Sequence, residues 1–275
     1  MREEKLTKVL LIIATLLAIF FCLFPFLYML VISFSKSWDI FSLVKLEFTF
    51  KNYTEILKDP GFHCMDYIKN SLIISGISAF ISVFVATMGA YAISRFQFPF
   101  RFSILLFILA SSMFPQISIV GFLFKVMVKL NLINTYPALI LPYISWNIPI
   151  SLWIMTSYLS SIPKDLDKSA LLDGCSWFQI FIKIILPVAK PGIISAGLLS
   201  FLFSFNEFLF ALLLTVDYRA RTVPVGIVMF QGLHGELPWG SIMAFTTLSL
   251  IPVFLIVIFF QKYIIHGVIR SGLKG

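Results

Sequence analysis

Long stretches without charged residues recur along the chain, separated by short polar segments. One stretch contains a single acid, and together they cover Val9–Ser35, Asn70–Ser94, Phe102–Phe124, Leu130–Ile162, Pro191–Val216 and Leu237–Gln261. A helix needs about 20 mostly apolar residues to cross the hydrocarbon of a bilayer. The pattern therefore predicts six transmembrane helices, at about 9–34, 70–94, 102–125, 138–160, 190–215 and 241–264. The runs are continuous rather than alternating, which argues against β-barrel strands.

Composition agrees with this interpretation. Hydrophobic residues make up 59% of the 275 positions and charged residues 12%, whereas soluble domains are about 45–50% apolar and about 25% charged. We therefore expect an all-α integral membrane protein, with the first run kept as an uncleaved helix because no small-residue cleavage site follows it. Three cysteines without metal-ligand spacing and three scattered histidines predict neither a disulfide framework nor a metal site.

Six spans place both termini on the same side of the membrane. An inner amino terminus puts twelve of the 21 lysines and arginines inside and nine outside, the direction that the positive-inside rule requires. Both termini and the polar segment 163–187 are then predicted to be cytoplasmic. We expect residues 1–69 to form the N-terminal tail, the first helix and an outer cap, and residues 70–275 to form the transmembrane core.

Local signals add detail to these spans. In the longest outer segment, 35–69, Asn52-Tyr53 and Asp59-Pro60-Gly61 are typical of turns. Prolines inside the predicted spans suggest kinks, which helix bundles tolerate when neighbours satisfy the freed carbonyls. These prolines are Pro25, Pro115, Pro142, Pro149 and Pro252.

The first half of the polar segment 163–187 predicts a short amphipathic helix. Pro163 suits a first helical position, and Asp165 and Asp167 would then lie in the first turn, where the helix dipole favours negative charge. Gly174 is suited to end this helix in a left-handed conformation. One face is expected to combine Leu166, Ser169, Ala170 and Asp173.

The second half predicts another short helix. Ser176 and Gln179 have the spacing of a capping box, and Leu186-Pro187 is expected to stop the helix before the fifth span. One side of it is expected to carry Phe178, Phe181, Ile182 and Ile185. The pattern alone fits a surface that docks on a soluble partner and a hairpin that lies on lipid headgroups equally well.

The run from Lys168 to Gly174, followed after nine residues by Ile184-Ile-Leu-Pro187, resembles the "EAA" loop of permease subunits of binding-protein-dependent ABC importers. That loop reads Glu-Ala-Ala, three residues, Gly, nine residues, Ile, any residue, Leu-Pro. The chain departs from it in having Lys168 for Glu and Ser169 for the first Ala. The resemblance implies the type I ABC importer permease fold and a coupling loop that docks on an ATPase. The implied docking residues are Lys168, Ser169, Ala170, Asp173, Gly174, Ile184, Leu186 and Pro187.

Further motifs resemble the carbohydrate branch of that family, and within it the smaller six-helix permease of the maltose/trehalose-type heterodimer. Phe205-Asn206-Glu207 is similar to its Trp-Asn-Glu/Asp motif, with Phe for Trp. The other similar segments are Ala90–Phe96, Leu130–Tyr143 and the tail Gly267–Gly275. The likeness covers about residues 70–275.

The resemblance implies a set of partners. They are a second permease subunit, two ATP-binding subunits, an extracytoplasmic sugar-binding protein and the lipid of a prokaryotic cytoplasmic membrane, and nucleic acid is not among them. The chain contains no G-x-x-x-x-G-K-[ST] phosphate loop, so ATP and magnesium are expected on the separate ATPase. The chain itself is expected to catalyse nothing and to bind no cofactor.

Asn206 and Glu207 place polar groups inside the fifth apolar stretch. Ionisable groups at membrane depth usually face the bundle interior or a wet cavity, so these residues either line the solute pathway or contact the partner permease. The solute stays open: a disaccharide such as trehalose or maltose is preferred, with another solute such as glycerol phosphate as the alternative. An ion-coupled secondary transporter would need more intramembrane charges or inverted repeats than the chain shows.

Overall fold

A computed structural model describes residues 2–36, 47–230 and 238–272, with side chains described for 7–36, 47–230 and 238–263. Apart from one isolated bridge that pairs Ser35 with Phe48, these residues form helices and turns. The helices are α1 Arg2–Ser33, α2 Lys51–Lys58, α3 Cys64–Arg95, α4 Arg101–Ser111, α5 Gln116–Lys129, α6 Tyr136–Ser161, α7 Asp165–Leu172, α8 Trp177–Ile180, α9 Leu186–Phe205, α10 Leu209–Leu214, α11 Val223–Met229 and α12 Trp239–Gly272. His234, residues 37–46 of the predicted outer cap and the tail residues 273–275 lie outside the described residues.

Among the described residues, five helical segments are long and apolar enough to cross a membrane, and there are six if the bent pair α4 and α5 counts as one span. The prediction of one continuous helix over about 102–125 is therefore wrong, and the bend lies at Pro115, where the sequence suggests a kink. In its place α4 and α5 meet at an angle of 84°, because Pro115 adopts an extended conformation, with ψ of 129°, immediately before α5. The prolines Pro25, Pro142, Pro149 and Pro252 lie inside continuous helices.

The prediction of one helix over 190–215 is also wrong at its end. Helix α9 stops at Phe205, and α10 begins at Leu209 after a break. Asn206 and Glu207 interrupt the apolar stretch at this break, and they are the signal in the sequence that marks it. The polar side chains of Asn206 and Glu207 satisfy backbone groups at the break, as described below.

The described residues form two compact units. The first consists of Met1–Cys64 and Ile227–Ile251. Within it, Asn52 lies in α2 rather than in a turn, and its Nδ2 donates to the carbonyls of Ser33 and Ser35, both at 2.9 Å, at the end of α1. The predicted turn at Asp59 is confirmed, because the Asp59 carboxylate accepts a hydrogen bond from Gly61 N at 2.8 Å.

The second unit consists of Met65–Gly226 and Pro252–Gly275. Its centre is the pairing of α6 with α9. Gly192 of α9 packs so closely on α6 that an added Cβ would lie 2.5 Å from the ring of Tyr158, and small residues of this kind let helices approach in membranes. Three side-chain hydrogen bonds run along the same pair: Tyr143–Glu207 at 2.7 Å, Asn147–Ser204 at 2.7 Å and Ser151–Ser200 at 2.8 Å.

Side-chain hydrogen bonds also fix the segment 215–222 of this unit. Asn70, near the start of α3, donates through Nδ2 to the carbonyls of Tyr218 and Arg221, both at 2.8 Å. The Asn134 Oδ1 accepts from the backbone N–H groups of Val216 at 3.0 Å and Asp217 at 3.2 Å. The segment is therefore held by residues that precede α6 and begin α3.

Candidate functional site

The polar segment between α6 and α9 has the predicted two-helix form at its start. Asp165 and Asp167 lie in the first turn of α7, which confirms their placement at the positive end of the helix dipole. Pro163 does not occupy the first helical position, because the helix begins two residues later, at Asp165.

The turn between α7 and α8 is fixed by the backbone. Gly174 has a φ of +82°, a left-handed conformation that glycine adopts without a side-chain penalty. Gly174 N donates to Leu171 O, and Cys175 N donates to Ala170 O, both at 3.0 Å. These two bonds are the pattern of a Schellman motif. The sequence prediction that Gly174 ends the first helix is confirmed.

The capping box that opens α8 is confirmed as well. Ser176 N donates to Gln179 Oε1 at 2.8 Å, and Gln179 N donates back to Ser176 Oγ at 3.3 Å. The two reciprocal bonds satisfy backbone donors that a helix start otherwise leaves open. The chain therefore has a defined hinge from residue 173 to residue 176.

The prediction that Leu186-Pro187 stops the second helix is wrong. The chain passes from α8 through a π-helical turn, Phe181–Ile185, directly into α9, and Leu186 N donates back to Phe181 O. Pro187 lies in the first turn of α9, where its missing N–H is not needed. The π turn inserts a residue into the helical register. The helix therefore continues through Pro187 instead of ending before it.

The predicted faces of both short helices need correction. In α7, Ala170 and Asp167 are buried, whereas Leu166, Ser169 and Asp173 are exposed. The π turn rotates the following side chains, so that the four apolar residues predicted to share one side are divided. Phe181 and Ile185 are buried, and Phe178 and Ile182 are exposed.

Only some of the residues expected to dock on an ATPase are exposed. Five of them are exposed: Lys168, Ser169, Asp173, Gly174 and Pro187. Ala170 is buried inside the chain's own core, and Ile184 and Leu186 are half-buried against that core. Lys168 Nζ lies 3.0 Å from Asp165 Oδ1 on the surface, a kind of ion pair that contributes little to stability.

A buried ion pair holds α7 against the bundle, and sequence reasoning missed it. Arg95, the last residue of α3, places Nε 2.9 Å from Asp167 Oδ2, with both side chains at most 5% exposed. Arg95 Nη1 also donates to the carbonyls of Leu159 and Ile162, at 3.3 and 3.1 Å, where α6 ends. We call Arg95 and Asp167 the Arg95–Asp167 clamp. One guanidinium thus contacts the ends of α3 and α6 and the start of α7.

Aromatic contacts strengthen the same attachment. The ring of Tyr91 lies 5.0 Å from that of Phe181, and the ring of Phe96 lies 5.0 Å from that of Trp177. Each pair joins the end of α3 to the polar segment. The two short helices are therefore packed against the end of α3, while the hinge at residues 173–176 is largely exposed.

Asn206 and Glu207 form a second candidate site at the break between α9 and α10. Glu207 Oε1 accepts from Phe210 N at 2.9 Å, and Oε2 accepts from Ala211 N at 3.2 Å and from the Tyr143 hydroxyl at 2.7 Å. Asn206 Nδ2 donates to Leu202 O at 2.8 Å, and its side chain is exposed. Glu207 thus starts α10 and ties it to α6.

The part of the chain that the structure describes contains no group of three or more His, Cys, Asp or Glu residues able to hold a metal ion. Cys64 is buried, Cys175 is half-buried and Cys22 is exposed, and none of these three forms a disulfide.

Comparison with known proteins gives one consistent picture. A family profile described as "Binding-protein-dependent transport system inner membrane component" matches residues 78–270. The trehalose/maltose transport system permease protein MalG of Thermococcus litoralis is 49% identical over 277 residues, covering 100% of both chains. The trehalose transport system permease protein SugB of Mycobacterium tuberculosis is 37% identical, covering 85% of each chain.

Another relative is also a permease of a transport system, and a solved structure has a similar fold. The sulfoquinovosyl glycerol transport system permease protein SmoH of Agrobacterium fabrum is 34% identical, covering 82% of this chain and 79% of that protein. A chain of a bacterial ABC transporter involved in the import of the acidic polysaccharide alginate superimposes with a TM-score of 0.76 at 20% identity, covering 96% of this chain and 98% of that one. At this identity the structural match shows the fold.

Proposed function

Because the chain belongs to the family of binding-protein-dependent transport system inner membrane components, we propose that it forms half of the translocation pathway of an ATP-driven disaccharide importer. It has the type I ABC importer permease fold, and it is a multi-pass sugar permease subunit rather than an enzyme. In our proposal it pairs with a second permease, two ATP-binding subunits and an extracytoplasmic sugar-binding protein. ATP and magnesium are held by the ATPase subunits, and both termini are cytoplasmic.

The exposed hinge around Gly174 is the observation that carries this proposal. Its exposed residues, Lys168, Ser169, Asp173 and Gly174, lie on a segment whose base is fixed to α3 and α6 by the Arg95–Asp167 clamp. A push on the exposed side is therefore transmitted to two membrane-spanning helices. Closure of the ATPase dimer would shift the bundle between two packings, which is the kind of domain rearrangement that ligands bias.

The disaccharide is supported by similarity. The relative that is 49% identical over its full length is named for trehalose and maltose. The relative named for sulfoquinovosyl glycerol shows that other solutes occur among proteins similar to this one. A glycerol phosphate is therefore the competing substrate to be measured.

The test is transport by the assembled complex in vesicles that contain ATP. We expect uptake of radiolabelled trehalose or maltose to require the ATPase subunits and the binding protein. Vesicles that contain both permeases but lack the ATPase are the control. Uptake that persists in the control, or that follows an imposed proton gradient, would refute the proposal. Uptake of glycerol phosphate in place of disaccharide would refute the substrate assignment.

A further inference from the structure

A cavity whose lining contains several polar side chains lies where α6 faces the break between α9 and α10. Its volume is about 380 Å³, and its lining includes Gln116, Tyr143, Trp146, Asn147, Asn206 and Glu207 beside Ser204 and apolar residues of α9 and α10. Two other cavities of the same unit are lined by apolar residues, apart from Thr87 in one of them. Among these three cavities, the one at the break thus has the lining of a site for a polar molecule.

The cavity lies within the length of a membrane-spanning helix rather than at its end. Tyr143 and Trp146 come seven and ten residues after Tyr136, the first residue of α6. At a rise of 1.5 Å per residue they lie roughly 10 and 15 Å along the helix. Polar side chains at such a depth are costly unless they face protein or water. The side chains of Gln116 and Asn206 therefore suit a polar occupant or water in the cavity.

The lining combines ring faces with a small number of polar groups, as small-molecule sites do. The indole of Trp146 is half-buried and is held edge-on to Phe210, with ring centroids 6.2 Å apart. The carboxylate of Glu207 is fixed by three donors, and a carboxylate offers about four acceptor positions. One position thus remains for a hydroxyl, while Gln116 and Asn147 supply amide groups.

The charge of the lining decides the class of occupant. It contains one carboxylate and no lysine, arginine or histidine. A phosphate or sulfonate would approach Glu207 without a cation to offset the repulsion, which is strong where water is scarce. A neutral molecule with hydroxyl donors and an apolar ring face suits the same surface.

We propose that this cavity is a contact site for uncharged saccharide in transit and that it discriminates against anionic solutes. Trp146 provides the surface on which a sugar ring stacks, Glu207 accepts a sugar hydroxyl, and Gln116 contributes from α5. The proposal rests on the proposed transport function, and it adds the location and the charge preference of a solute site within this subunit.

The test compares two tryptophans of α6 in the complete, reconstituted transporter. Trp146→Phe removes the indole in the cavity, and Trp153→Phe is the matched control on the same helix, outside the cavity lining. We expect Trp146→Phe to lower kcat/KM for saccharide uptake about tenfold and Trp153→Phe to leave it within about twofold. Gln116→Ala, on α5, should lower uptake in the same direction as Trp146→Phe.

An added positive charge tests the selectivity. Gln116→Arg places a cation beside Glu207 and is expected to raise the uptake of an anionic competitor, such as glycerol phosphate, relative to trehalose. An unchanged ratio of the two solutes would overturn the discrimination. Equal effects of Trp146→Phe and Trp153→Phe on uptake would overturn the stacking site.

Two further measurements distinguish a solute site from a role in coupling and from a contact with the partner permease. ATP hydrolysis stimulated by the loaded binding protein should stay near the unmodified level in Trp146→Phe, because the coupling loop is untouched. Copurification of the partner permease should also be unchanged, and its loss in Trp146→Phe alone would show a subunit contact instead and overturn the proposal. If the unmodified transporter shows no ATP-driven uptake, the transport function itself fails.

Discussion

Arg95 and Asp167 form an ion pair inside the protein, with Nε and Oδ2 2.9 Å apart and side chains 2% and 5% exposed. Burying two charges is costly, and their attraction offsets that cost only when the geometry and the remaining hydrogen bonds are good. Arg95 meets this condition only in part, because Nη1 donates to the carbonyls of Leu159 and Ile162 at the end of α6 while Nη2 is buried without a hydrogen bond. The pair holds the first turn of α7, where the predicted coupling loop begins, against the end of α3.

Breaking the clamp on one side should be more harmful than replacing both partners. Asp167→Asn leaves the Arg95 charge buried without its partner, which typically costs about 3–5 kcal/mol of stability. The double variant Arg95→Met with Asp167→Leu removes both charges and should lose less. Thermal unfolding of the purified complex measures the difference. Arg101→Gln is the control, because Arg101 begins the next helix, α4, and its hydrogen bond to Phe96 O lies outside the buried core.

The double variant also tests the mechanical role of the clamp. If α7 transmits ATPase movement through Arg95 to α3, the folded double variant should hydrolyse ATP with less solute imported per ATP. A double variant with the unmodified uptake per ATP would mean that the clamp only stabilises the fold.

Gly174 has two properties that a set of substitutions can separate. Its φ of +82° disfavours other residues, whereas an added Cβ would meet nothing within 4 Å inside the chain. Asn tolerates the left-handed conformation better than Ala or Val does. If conformation alone matters, Gly174→Asn should keep uptake while Gly174→Ala and Gly174→Val reduce it. If the ATPase needs a surface without a side chain, all three should lose coupled uptake while the complex still assembles.

Gly192 tests the α6–α9 contact against a glycine of the same helix. Gly192→Ala would bring Cβ to 2.5 Å from the Tyr158 ring and force the helices apart, whereas Cβ at Gly197 meets nothing within 4 Å. Overpacking of this kind costs roughly 1–3 kcal/mol. Gly192→Ala should lower the melting temperature of the complex, and Gly197→Ala should not. Equal melting temperatures would contradict the close packing.

The hydrogen bonds that hold the segment 215–222 should weaken at acidic pH. Arg219, and after it Asn134, holds the pKa of the Asp217 carboxyl well below its usual value through hydrogen bonds. A carboxyl with a lowered folded pKa adds stability above its unfolded pKa of about 3.9, and this is lost as pH falls below that value. Hydrogen-exchange protection of the Val216 and Asp217 amides should therefore decrease below about pH 4.

Asp217→Asn is the control for that experiment. It removes the titrating group, so the protection of the same amides should become independent of pH in this range. The Asp217 pair with Arg219 is exposed, so added salt should weaken the effect in the unmodified protein. A pH dependence that persists in Asp217→Asn would assign the effect to another group.

The sequence predicts the features that depend on the length of an apolar run or on the residues of a single turn. Charge-free runs located the membrane helices, and Gly174 with Ser176 located the hinge, because a glycine at a helix end and a capping box are local signals. Pro115 indicates a kink but not the 84° bend that the structure shows, and the break after Phe205 is not predicted although Asn206 and Glu207 interrupt the apolar run there. A proline in a long apolar run does not by itself decide between a break and a continuous helix, as Pro142 shows.

Contacts between distant positions were beyond local patterns. The local pattern identifies Asp167 only as a charge at a helix start and gives Arg95 no partner, and no spacing rule connects the two residues. The π turn before Pro187 was missed for a similar reason, because it depends on how Phe181 and Ile185 pack in the core. The predicted docking residues are consequently only partly exposed, since Ala170 is covered by the chain itself.

The central claim is that the hinge around Gly174 contacts an ATPase on the cytoplasmic side. Ser169→Cys, in a variant without Cys22, Cys64 and Cys175, places a thiol on the exposed side of α7; Leu57→Cys, exposed in α2, is the control expected outside. We predict that Ser169→Cys crosslinks to the ATP-binding subunit and reacts with an impermeant thiol reagent only from the inner side. Labelling of Ser169→Cys from the outer side, or no crosslink to any other polypeptide, would contradict the account.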